Sequence, residues 1–200
     1  MTDEAATTGQ ALATRVLVFW ADMRGSMRAL LDEAPSEGRL LALAMVSGLI
    51  TFLATVAGMW LDPATAAIAP DELTARVAAA FVGALLFRTL FLYGLAALAG
   101  LGARAAGGRG DWRETRAAVF WASLVAAPVG FAATLADRLG PMGAGAAGAV
   151  LQSLAPMALA VALSACLAEA HGFRRAWLVF LGVSVAVLGV VIAIRLAGVG

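Results

Sequence analysis

The chain has one cysteine, Cys166, one histidine, His171, and no lysine. A lone cysteine forms no intrachain disulfide, so cysteine pairing carries no information on redox compartment. One His and one Cys cannot build a His/Cys metal centre within a single chain, which excludes zinc and thiolate clusters. Charge is scarce as well. Charged residues make up 14% of the chain, where a soluble domain carries about 25%. What is abundant is apolar: 62% of residues are hydrophobic, Ala alone takes 49 of the 200 positions, and the mean hydropathy is +0.90. That is out of range for a chain facing water all round. It also excludes disorder, since disordered segments are poor in apolar residues. The use of Arg without Lys, on an Ala-rich background, resembles the coding bias of a GC-rich bacterial genome.

A bilayer core needs roughly 20 apolar residues in helical form. Five stretches meet that length: Leu40 to Leu61, Val77 to Ala103, Ala117 to Ala136, Gly143 to Ala168 and Ala176 to Ile194. Lipid offers no partner for unpaired backbone groups, so continuous apolar runs of this kind read as helices. The expected fold is therefore all-α, a polytopic transmembrane bundle of five spans occupying residues 40–195. Residues 1–39 open with Asp3 and Glu4 rather than a basic segment and a cleavage site, so Leu40 is expected to start an uncleaved span. Leu12, Val16, Phe19, Met23, Met27, Leu30 and Leu31 recur at helical spacing ahead of it. They predict an amphipathic helix, lying on the inner leaflet or docked on the bundle, broken by Pro35 and Gly38 before the first span.

Arginine position sets the expected orientation. Ten arginines precede span one or lie between spans two and three or four and five, against Arg76, Arg138 and Arg195 on the other side. This places the N-terminus in the cytoplasm and the C-terminus outside an inner membrane. Arg88 is the one charge inside a span, and intramembrane charge is expensive. It reads as a site for an anion or lipid headgroup, or as a side chain snorkelling to the outer interface with Asp62 as partner.

The remaining motifs are weaker than the spans that hold them. Gly143, Gly145 and Gly148 match G-x-G-x-x-G, but no strand precedes them, so they read as close helix contact. Asp111 completes a G-x-G-D string in a polar loop, without the second intramembrane aspartate that a protease dyad needs. Ser164 lacks a nucleophile elbow, and His171 is expected in a solvent-facing loop. Ser47, Thr51 and Thr55, with Gly48 and Gly58, form a stripe along span one that suits interhelical packing or a transport path. Pro128 and Pro156 are expected to kink spans three and four. Trp60, Trp121 and Trp177 are expected at the membrane interfaces.

Two loops with their following helices resemble bacterial members of the Yip1 domain family. One is Gly107-Gly-Arg-Gly-Asp-Trp-Arg-Glu-Thr-Arg116 with the helix through Trp121 to Pro128; the other runs from Leu167 through His171 to Trp177. The family layout of five spans and a cytoplasmic N-terminus is similar to that read from the arginines. The resemblance carries Gly107, Gly108, Trp112, Arg116, Trp121 and Pro128 in the first motif and Gly172, Phe173 and Trp177 in the second, as turns, interface anchors and a helix kink. It implies a non-enzymatic membrane protein without cofactor or metal. The Asp-Leu-Tyr-Gly-Pro motif of eukaryotic members is absent, so no small-GTPase partnership is carried over.

Two functions follow as expectations. The first is a non-catalytic membrane scaffold or organising factor whose partners are the bilayer, copies of itself or other membrane proteins, and not nucleic acid. The second is a small transporter or channel subunit with Arg88 lining a path. The topology has a direct test. In a Cys166→Ala background, Gly200→Cys should react with an impermeant thiol reagent applied to intact cells, whereas labelling of Gly108→Cys there would overturn the orientation.

Overall fold

The computed structural model describes residues 12–139 and 146–185. These residues form helices α1 (12–18), α2 (Met23–Asp32), α3 (Glu37–Leu61), α4 (Pro70–Ala105), α5 (Trp112–Leu139) and α6 (Ala146–Ala170), and α7, described over Ala176–Val185. No strand occurs among them. Four helices are long and apolar enough to cross a membrane: α3, α4, α5 and the Gly148–Ala170 part of α6. They mark a multi-pass membrane protein. The fifth span falls only partly on described residues, since 186–194 lie outside them, as do Gly143 and Gly145 of the glycine string.

The helices start where the sequence can cap them. Ser36 accepts from the Arg39 amide at 3.3 Å and opens α3. Pro70 opens α4, with Asp71 and Glu72 in its first turn, where negative charge suits the helix dipole. Asp111 and Glu114 form a reciprocal cap on α5. The Asp111 carboxylate accepts from the Glu114 amide at 2.7 Å, and the Glu114 carboxylate accepts from the Asp111 amide at 2.8 Å. The aspartate of the G-x-G-D string is thus a helix cap.

The centre of the molecule is α5, in which Thr115 and every residue from Ala117 to Ala126 is buried. It packs chiefly on α6 and α3, with α4 alongside. A helix apolar on all sides needs cover on all sides, and the last of that cover comes from the N-terminal segment. Phe19, Met27 and Leu30 are 0–1% exposed and belong to the same core as Trp121 and Cys166. The amphipathic segment, expected either on the leaflet or docked on the bundle, is therefore two helices, α1 and α2, and takes the docked arrangement, with its apolar face packed against protein. Leu17 and Val18 remain exposed on the outer side. Trp121 is also corrected. It is not an interface anchor but is fully buried, with Phe19 edge-on at 6.4 Å and the Arg15 guanidinium 5.5 Å from its ring. Trp60 and Trp177 are exposed.

α4 runs the other way. Its outward face carries Phe87, Phe91, Leu98 and Leu101, each more than half exposed, as a lipid-facing helix requires. Its inward side meets α3 at Gly48, where a Cβ would stand 2.5 Å from the Ala84 carbonyl oxygen. That close approach coincides with a π-helical turn, Gly83–Phe87, which shifts the register of α4 just ahead of Arg88.

Charge ties α2 to the bundle. Glu169, at the end of α6, accepts from Arg24 at 2.8 Å and from Arg28 at 2.7 Å. Charge-assisted bonds of this kind are stronger than neutral ones, and Glu169 has little water to replace them, its side chain being 10% exposed. Glu169→Gln should loosen α2. Hydrogen exchange over residues 23–32 should speed up by roughly tenfold while α3 and α5 stay protected; unchanged exchange in α2 would remove the clasp from this account.

Candidate functional site

Both motif loops lie at the arginine-rich end, and the structure brings them together. α4 and α6 end in the same way. Gly107 (φ +87°) follows α4, with the Gly108 amide donating to the Ala103 carbonyl and the Gly107 amide to the Arg104 carbonyl. Gly172 (φ +71°) follows α6, with Phe173 donating to Ala168 and Gly172 to Glu169. Each is a Schellman turn, in which glycine takes the left-handed position. The two turns meet through the Arg109 amide, which donates to the His171 carbonyl at 3.1 Å. Gly108 and Gly110 lie flat on the histidine, and a Cβ at either would come within 3.0 Å of its Nδ1.

His171 is consequently 2% exposed, and its expected place in a solvent-facing loop is corrected. The glycine loop folded over it is the physical reason. The Thr115 hydroxyl donates to the Asp111 carbonyl at 2.7 Å. His171 Nε2, 3.0 Å from the Thr115 hydroxyl oxygen, is therefore the donor of that pair, and Nδ1 is left bare, buried and without a partner. Burial first, then the neighbouring Arg104 guanidinium, hold the imidazole below its usual value, while Glu114 and Asp111 pull the other way.

The other motif residues sit around this junction. Trp112 packs on Gly100, with the Arg104 guanidinium 4.1 Å from its ring. Arg116 pairs with Glu37 at 2.9 Å. Phe173 stacks on His171 at 6.1 Å. Pro128 lies further along α5, away from the junction, and Trp177 is exposed on α7. Arg113 reaches back to the carbonyls of Ala34 and Pro35, closing the α2–α3 connection in which Ala34 takes a φ of 45°. These groups hold turns and helix ends in place.

A second site lies within the span region. A cleft of about 620 Å³ is lined from α3, α4, α5 and α6, with Arg88, Ser123, Thr51, Thr55, Thr134 and Phe131 among its walls. Arg88 Nη1 donates to the Ser47 hydroxyl and Nη2 to the Ser123 hydroxyl, each at 2.7 Å. The guanidinium thus joins α4 to both α3 and α5. Ser47 stands fourteen residues before Leu61, about 21 Å along α3 at roughly 1.5 Å per residue. Arg88 therefore points to the middle of the bundle and not to the outer interface. The expected partner, Asp62, is taken by Arg138 at 2.9 Å. The Ala64 amide, then Arg138, hold the Asp62 carboxyl below the usual carboxylate range. Of the span-one stripe, Ser47 is buried against Arg88, while Thr51 and Thr55 line the cleft and donate to their own helix carbonyls. Ser123 was the residue the sequence hid. A single hydroxyl in an apolar helix was its only signal, and it has meaning only opposite Ser47 and Arg88.

The histidine gives a pH dependence whose sign is set by its lowered value. Above the ordinary 6.5 the folded and unfolded chains both hold it neutral. As pH falls below that, the unfolded chain takes the proton first and stability drops. The unfolding midpoint should fall between about pH 7.5 and about pH 5.5, and His171→Gln should flatten that part of the profile. Identical profiles for the two proteins would exclude the histidine as its source.

Comparison of the chain with protein-family models, with curated proteins and with solved structures finds no match.

Proposed function

We propose that this protein is a five-span integral inner-membrane protein that organises a membrane or its protein partners without catalysis. Its arginine-rich end faces the cytoplasm and its C-terminus lies outside. The resemblance of its two glycine loops to the Yip1 domain family points the same way. The observation that carries the reading is the construction of the arginine-rich end. α2 is clasped to the bundle by Glu169 through Arg24 and Arg28, and α1 is tied to the start of α3 through Glu33, held between Arg15 at 2.9 Å and Arg39 at 2.5 Å. That makes a platform of fixed geometry, with Leu17 and Val18 exposed on its rim.

Among the described residues, four groups of reactive type have structural tasks. Asp111 caps a helix, Ser164 donates to the Ala160 carbonyl at 2.6 Å, Glu169 holds two arginines and Cys166 is sealed in the core.

The second reading, a small transporter or channel subunit, is favoured by one feature, the cleft that ends at Arg88. Two measurements separate the readings. Crosslinking with mass spectrometry in native membranes should capture a second copy or a partner protein through residues of α1 and α2. Purified protein in liposomes should move no ion or small solute. Flux that Arg88→Ala abolishes would replace the organising reading with the transport one.

A further inference from the structure

The Arg88 cleft has a chemistry of its own, independent of the platform. A guanidinium has five N–H donors, and those of Arg88 that are bonded go to two neutral hydroxyls. Among the described residues no carboxylate forms an ion pair with it. Its charge is therefore solvated by dipoles and left uncompensated, in the part of the molecule where an unpaired charge costs most. The other charged groups lining the cleft are Arg76, Arg138 and Asp62. Arg76 is paired with Glu72 at 2.6 Å and Arg138 with Asp62 at 2.9 Å, which leaves Arg88 as the guanidinium lining the cleft without a carboxylate partner among the described residues.

The hydroxyls divide into those already committed and one that is free to donate. Ser47 donates to the Ala44 carbonyl at 2.8 Å, Thr51 to Ser47 at 2.9 Å and Thr55 to Thr51 at 3.0 Å. Ser123 accepts from Arg88, and its own proton has only a 3.4 Å contact with Ser47. Arg88 and Ser123 therefore present adjacent donors into the same cleft. The π-helical turn ahead of Arg88 is the kind of register shift that aims a side chain at a site. Beside these donors the walls are apolar, with Ala126, Phe131 and Leu159. The volume of about 620 Å³ lies within the range of roughly 300–1,000 Å³ found for small-molecule sites.

We propose that this cleft is a phosphate-binding site, in which the unpaired charge of Arg88 and the hydroxyl of Ser123 hold the phosphate oxygens. Phosphate suits the site because it presents several acceptor oxygens and supplies the negative charge that Arg88 lacks in a partner. The bearer is either a lipid headgroup, with the apolar walls taking the start of its chains, or a free phosphate ester. The site stands whether the protein organises membranes or transports, and its failure would leave the platform reading untouched.

The test is thermal unfolding of the full chain in neutral detergent, titrated with phosphatidic acid, with diacylglycerol of the same chains, and with glycerol 3-phosphate. Phosphatidic acid should raise the midpoint saturably and diacylglycerol should not. An equal shift from glycerol 3-phosphate at similar concentration would identify a soluble phosphate ester, and none would identify the lipid. Arg88→Gln should weaken phosphate binding by roughly tenfold or more, and Ser123→Ala should weaken it less. Thr55→Phe fills the cleft without removing either donor, so it should abolish binding while leaving the ligand-free midpoint near that of the parent, even if Arg88→Gln does not fold. A shift that diacylglycerol reproduces, no shift with any phosphate, or full binding by Thr55→Phe would overturn the proposal. If Arg88→Gln folds and lowers only the ligand-free midpoint, with binding intact, Arg88 is interhelical glue and the proposal fails.

Discussion

The structure depends on one constraint: α5 is apolar around its whole circumference over Ala117–Ala126 and must be enclosed. Among the described helices, α3, α4 and α6 supply most of the enclosure. What they leave open, near Trp121, is closed by Phe19 and by the arginine at position 15. The N-terminal helices are thus part of the core and not an appendage to it. Their polar side then needs fixing, and two carboxylates do it: Glu33 before α3, paired with Arg15, and Glu169 at the end of α6, paired with Arg24 and Arg28. Exposed ion pairs contribute little each. Here the network matters through the shielded Glu169, which joins α2 to the helix that packs hardest on α5.

The same constraint explains the junction of the two glycine loops. With α4 and α6 both flanking α5 and both ending at the arginine-rich end, their exits must turn within a small space. Schellman turns at Gly107 and Gly172 provide this, since a side chain at either φ would be strained. The histidine between them is buried as a consequence of the turns, and its bare Nδ1 is what remains when a polar ring is covered by backbone.

Arg88 brings a charge to the middle of the bundle, and it is accommodated by three separate local departures from regularity. Gly48 lets the backbone of α4 come close, the π-helical turn shifts the register, and two serines on different helices supply acceptors. Each departure alone would be a small defect in a helix. Together they place a positive charge in a cleft bounded by four helices, with the carboxylate that lines it, Asp62, engaged by Arg138. A bundle that needed only stability would be better served by an apolar side chain at this position.

The amino-acid sequence on its own determined the helical class, the positions of the four described spans to within seven residues at each end, and the gathering of arginines at one end. These follow from hydrophobic run length and local backbone chemistry, which act within a few turns of chain. It also marked Arg88 as anomalous, because a charge in an apolar run is visible without coordinates. Tertiary structure decided the rest. It turned Arg88 inward to Ser47 and Ser123, took Asp62 for Arg138, sank Trp121 and His171 into the interior, and decided between leaflet and bundle for the N-terminal amphipathic segment in favour of the bundle. All of these are contacts between residues distant along the chain. Periodicity specifies which face of a helix is apolar, but only packing decides whether lipid or protein covers it.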